Sequence, residues 1–183
     1  MGTRNLTMVI DQEGTKKVAQ YGQWDGYPSG VGMGVLSFLK NKEIFDKFKN
    51  NLSKVRFLDA EGVDKDFIES YNKNTPEWSS EPDNRTEEQK LWWATFCSRD
   101  LADEVLTNVA NSEDKEIILI DREDTAKGSD SWVEWVYIID IQKNTLSVGY
   151  RLDSEPIKVY QLDNLPDDED FVNDLENNEE EED

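Results

Sequence analysis

Arg4, Gln23, Trp24, Asp25, Tyr27 and Gly30 are the residues whose types and spacing come closest to a chemistry. All but Arg4 lie in the stretch Val18 to Gly34, where a strand-like segment runs into an aromatic, glycine-rich loop and then into a helix. Trp24 and Tyr27 offer stacking faces and Asp25 a carboxylate, while the glycines at 26, 30, 32 and 34 let a backbone come close to whatever the loop meets. A loop that leads its N–H groups into a helix start suits an anion. The pattern is neither the phosphate-binding loop nor the dinucleotide fingerprint, so it names no ligand. Three readings stand: an aromatic turn that closes the core, a ligand or partner site, and a catalytic loop. Arg4 is expected either to pair with Asp25 or to hold an anionic ligand.

The remaining reactive residue types argue against catalysis. With no histidine, the commonest general base and zinc ligand are missing. Cys97 therefore lacks an activating base and reads as a buried free thiol, and Ser98 or Asp100 reads as a helix cap beside Arg99. Thr3 stands too far from the terminus to be an N-terminal nucleophile without processing. Adjacent Trp92 and Trp93 cannot both face one core, so one is expected at the surface or against a partner. Paired carboxylates such as Asp121 with Asp124 carry little weight among 41 acidic residues. No catalytic residue, metal ligand or cofactor is assigned.

Charge is the second informative feature. Of the formal net charge of −21, residues 163–183 supply −12 with no Lys or Arg, leaving −9 for the first 162 residues. Such a block is ordinarily a solvated tail. The sharper alternative is a polyanionic mimic that fills a basic groove built for phosphates. Leu165-Pro166-Asp167 followed by acids resembles a helix start, and Phe171, Val172 and Leu175 would share one apolar face. Asp167, Asp168, Glu169, Asp170, Phe171, Asp174 and Glu176 are thus the candidate partner-binding residues. The dense basic cluster, Lys40, Lys42, Lys47, Lys49 and Lys54, is interleaved with acids, so direct nucleic-acid binding is not expected.

These features need a scaffold. At 183 residues and 36% hydrophobic, one domain is expected over 1–162, with 163–183 as an acidic tail. No apolar run is long enough for a membrane span, and the first residues lack a signal-peptide pattern, which makes the cytoplasm the expected compartment. Asn5 to Ile10 and Lys17 to Tyr21 read as a hairpin around Asp11 to Gly14. Apolar spacing predicts a helix from about Gly32 to Asn51, with a break near Asn41. Further helices are expected over Val63 to Tyr71, from Thr86 through Leu91, Trp92 and Phe96, and in a successor through Leu101, Val105, Leu106 and Val109, with a surface loop from Asn74 to Arg85. Glu116 to Asp121, Trp132 to Ile141, Thr145 to Leu152 and Ile157 to Leu162 read as strands. Strands at both ends around central helices indicate an α+β fold with a mainly antiparallel sheet, built from the N-terminal hairpin and the C-terminal strands.

Three segments, Gly2-Thr3-Arg4-Asn5-Leu6, Gln20 to Gly30 and Glu134 to Asp140, resemble a family of uncharacterised phage and microbial proteins, in order across most of residues 1–150. The resemblance implies a single domain in which hairpin, loop and late strands belong together. It carries no reaction, and the acidic tail lies outside it. Two functional classes follow. One is an acidic, phage-encoded interaction protein that inhibits a basic nucleic-acid-handling host protein, such as a nucleic-acid-guided defence nuclease, in the host cytoplasm. The other is a binder of, or enzyme for, a small anionic or nucleotide-like molecule at the loop 22–34.

Overall fold

The computed structural model describes residues 2–58, 101–113, 116–128 and 131–176. Asn5–Ile10 (β1) and Lys16–Gly22 (β2) form the predicted hairpin, turning at Asp11, whose carboxylate accepts the N–H groups of Glu13 and Thr15. A π-type turn, Pro28–Gly32, leads into Met33–Lys40 (α1), and Lys42–Asn51 (α2) follows. Asn41 is the predicted break: its N–H still bonds back to Ser37 and Phe38, and its side chain caps α2 by accepting from the Ile44 N–H at 3.2 Å. The sequence then gives Val55–Phe57 (β3), Glu104–Ala110 (α3), Ile117–Leu119 (β4), Trp135–Asp140 (β5), Thr145–Gly149 (β6), Lys158–Gln161 (β7) and Asp168–Glu176 (α4).

The main sheet has the order β2-β1-β5-β6-β7 and is antiparallel except at its centre, where β1 and β5 run parallel. This is the α+β architecture expected, with the hairpin and the late strands in one sheet and helices between them in sequence. Glu116 to Asp121 does not join it. Its core, β4, pairs in parallel with β3 as a separate two-stranded ribbon, because the three-residue β3, too short to stand out as a strand, offers it an edge. The predicted helix Val63 to Tyr71, the loop Asn74 to Arg85, the helix start at Thr86, and Trp92, Trp93, Cys97, Ser98, Arg99 and Asp100 lie outside the described residues.

Every residue of β1 but Ile10 is buried, as a central strand covered on both faces requires. Val9, Val18, Tyr137, Ile139, Leu146 and Val148 face α1, α2 and α3 in one core that includes Leu36, Phe38, Phe48 and Leu106. Leu6 and Val136 face a smaller cluster closed by Ala126 and Val133. The acidic segment belongs to the larger core. Asp167 accepts the Asp170 N–H at 2.9 Å and three acids follow at the positive end of the helix dipole, so α4 begins where a helix start was read. Phe171 and Leu175 are fully buried, with Val172 packed beside them. Residues 168–176 are thus seated on the domain rather than trailing from it. Among the described residues no helix is long and apolar enough to cross a membrane.

Candidate functional site

The glycine and aromatic loop is held from three sides. Gly26 donates to the Thr3 carbonyl at 2.9 Å, and the buried Tyr137 hydroxyl donates to the Gly26 carbonyl at 2.8 Å. The N–H groups of Gly30 and Gly32 return to the Tyr27 carbonyl, and that of Val31 to the Asp25 carbonyl. Gly30 is required here, because a Cβ would lie 2.2 Å from the Asp25 carbonyl oxygen. These N–H groups are therefore satisfied within the loop and are not presented to an external anion.

Ser29 carries the anion-binding capacity that the sequence suggests. Its N–H and its hydroxyl both donate to one carboxylate oxygen of Glu176, at 2.9 and 2.7 Å. The occupant is the chain's own acidic helix, so the loop and the tail, which the sequence offers as rival sites, form one surface. Charged hydrogen bonds of this kind are among the stronger ones.

The candidate ligand residues do not converge on one point. Arg4 pairs with Glu134 rather than Asp25: its guanidinium Nε lies 3.5 Å from the carboxylate, and its backbone N–H donates to the same oxygen at 2.7 Å. The cause is the parallel β1–β5 pairing, which draws Glu134 alongside Arg4. Gln23 accepts from the Tyr21 hydroxyl at 2.8 Å. Asp25 sits at φ +50°, a costly backbone for a non-glycine, and accepts from the Tyr27 hydroxyl at 3.2 Å. That bond raises the Tyr27 phenol above its usual range. The Trp24 ring packs on the Gly2 backbone yet stays half exposed.

Of the candidate partner residues, Phe171 is wholly buried and anchors α4, so it offers no surface to a partner. Asp168 pairs with Lys40 at 2.8 Å, and Asp174 with Lys158 at 2.9 Å and the Tyr160 hydroxyl at 3.2 Å. Burial, then the nearby Asp174, pushes the Tyr160 phenol up. Asp167, which caps α4, and Glu169 and Asp170 on its first turn are exposed. The acid row thus divides into a fastening set, Asp168, Asp174 and Glu176, and an outward set.

Beneath the loop lies a polar floor that sequence reasoning missed. Asn5 and Thr7 are fully buried, and neither the Asn5 side-chain amide nor the Thr7 hydroxyl has a hydrogen-bond partner. Gly22 must be a glycine, since a Cβ would lie 2.5 Å from the Asn5 amide nitrogen and 2.8 Å from Ala102. Ala102 itself is strained at φ +42°, and the neighbouring Asp103, against Gly34 of α1, is pushed up to about 6 by burial. The available signal was the placement of two polar residues at alternate positions of an otherwise apolar strand, on the face that Val9 shares.

A separate cleft of about 450 Å³ is lined by Lys47, Asn50, Asn51, Lys54, Ala110, Ser112 and Glu113. Its polar groups serve the fold: the Asn51 amide nitrogen lies 3.0 to 3.1 Å from the carbonyls of Val109, Ala110 and Ser112, and Lys47 pairs with Glu43. No group of three or more Cys, Asp or Glu able to hold a metal occurs among the described residues. Comparison with family models, curated proteins and solved structures finds no match to this chain.

Proposed function

We propose that this protein is an acidic interaction protein that occupies the basic surface of a protein handling nucleic acid, by mimicry or steric block. The observation that carries the reading is the seating of α4. Its outward acids, Asp167, Glu169 and Asp170, stand on a helix fixed by Phe171 and Leu175, so carboxylates are held at set spacings rather than spread over a mobile chain. Preorganised charge loses less entropy on binding and steers encounter with a basic partner. For a phage-encoded chain that partner would be a host protein, a nucleic-acid-guided nuclease being one that a phage gains by blocking.

The second reading, a small anionic ligand at the loop 22–34, must contend with Glu176 already on Ser29 and with loop N–H groups that are already paired. What favours it is the unpartnered Asn5 amide below the loop. The two separate by charge reversal. Glu169→Lys with Asp170→Lys is expected to abolish salt-sensitive capture of a basic partner and to leave small-ligand binding unaltered. Capture that survives both substitutions would remove the first reading.

A further inference from the structure

Among the described residues, one end of the main sheet carries the large exposed aromatic side chains. Among the described residues the large exposed hydrophobic side chains are Trp24, Tyr27, Trp132, Tyr150 and Val159. The register puts the four aromatics at one end of the sheet. Gly22, Asn5 and Trp135 are lateral neighbours across β2, β1 and β5, and Val136 lies opposite Gly149 on β6. Trp24 and Tyr27 follow β2, Trp132 precedes β5, and Tyr150 follows β6, so all leave the same end of the sheet. Contacts at that end tie these segments to the sheet: Trp24 rests on Gly2, Glu134 bonds to Arg4, and the Tyr150 ring packs at a tilt on Trp135 with 4.9 Å between ring centres. Trp132 is 70% exposed, an unusual position for the largest side chain.

Isolated exposed aromatics need no explanation, whereas a group of four on one rim marks an interaction surface. Its chemistry selects the occupant. Asp25 accepts from the Tyr27 hydroxyl beside Trp24, and Glu134 stands two residues from Trp132 and pairs with Arg4, while the exposed Asp153 and Glu155 follow Tyr150 in sequence, against Arg151. Aromatic faces set among carboxylates suit a guanidinium, which stacks flat on a ring while its edge donates to an acid. Phosphate would be repelled.

We infer that this sheet end is a docking surface for an arginine-bearing segment of a partner protein. The inference rests on the reading of the chain as an interaction protein for a basic partner, but it places the docking on the exposed rings rather than on the outward acids of α4, Asp167, Glu169 and Asp170. Arginine stacks on the exposed rings of Trp24 and Trp132, and Asp25 accepts from its edge.

The probe is a capped arginine-glycine repeat peptide, titrated into the full chain by calorimetry at low salt, with a lysine-glycine peptide as comparison. Trp24→Ala and Trp132→Ala are each expected to weaken the arginine peptide by roughly three-fold, and together by about ten-fold, with unchanged circular dichroism. The lysine peptide is expected to bind more weakly than the arginine one. Glu169→Lys with Asp170→Lys, on α4, separates the two claims. If that pair alone weakens binding, the sheet-end surface is overturned and the helix reading stands; if only the tryptophan variants do, the reverse holds. Absence of peptide binding, or a concentration-dependent dimer abolished by Trp132→Ala, would overturn the inference.

Discussion

Replacing Phe171 by alanine asks whether the acidic helix is part of the domain or an appendage. The ring is fully buried, packs against Tyr160 at 5.5 Å between centres, and comes within van der Waals reach of Gly32 at the head of α1. Truncating such a phenylalanine removes transfer energy and leaves a cavity, at a cost of about 3–5 kcal/mol. The polar ties of α4 are weaker: Lys40–Asp168 and Lys158–Asp174 are partly exposed pairs, each worth about 0–1 kcal/mol. Burial of Phe171 and Leu175 therefore decides whether α4 stays down. For a chain of this size, about 2–4 °C of melting temperature is lost per kcal/mol, so Phe171→Ala is expected to lower the midpoint by roughly 6–20 °C. Thermal unfolding followed by circular dichroism reads this, with Lys40→Ala as a control that shifts it little. A shift under about 2 °C would mean that α4 is not held by its apolar face, and the argument for preorganised acids would fail with it. The same numbers caution against deleting residues 163–183 to test the tail, since the deletion also removes two fully buried core side chains.

Asp103 makes stability depend on pH. Burial raises its folded-state value from 3.8 to about 6, so below about pH 3 both states hold the proton and nothing is lost; as pH rises to about 6 the unfolded chain ionises first, and stability falls by on the order of 3 kcal/mol. Asp103→Asn is expected to match the parent in urea unfolding near pH 3 and to exceed it at about pH 7.5; equal midpoints at both would contradict the assignment. Thr7→Val keeps the shape and removes a buried hydroxyl that has no partner, so it is expected to stabilise by about 1 kcal/mol in urea unfolding; a loss would reveal a partner for the hydroxyl. A double-mutant cycle between Ser29→Ala and Glu176→Ala should give a coupling of about 1 kcal/mol, and additivity would show that Glu176 does not fasten the helix to the loop.

Local features were legible in the chain, and long-range pairings were not. The hairpin followed from two short strand segments around Asp11 to Gly14, the break at Asn41 from interrupted helical spacing, and α4 from its acids and the Phe171, Val172, Leu175 face. Each depends on residues within a few positions of one another. The parallel β1–β5 pair joins segments about 130 residues apart, and without it Arg4 has no reason to choose Glu134 over Asp25. The Ser29–Glu176 contact spans still more, and nothing distinguishes Glu176 from its acidic neighbours until α4 is seated. Asn5 and Thr7 read as ordinary strand residues because inward burial on a central strand depends on what covers both faces.

The most direct test of the account is competition. A basic nucleic-acid-handling protein captured on the full chain at low salt should be displaced by duplex DNA or by RNA, and should fail to bind the Glu169→Lys, Asp170→Lys chain. Undiminished capture in the presence of excess nucleic acid, by the parent and the charge-reversed chain alike, would contradict it.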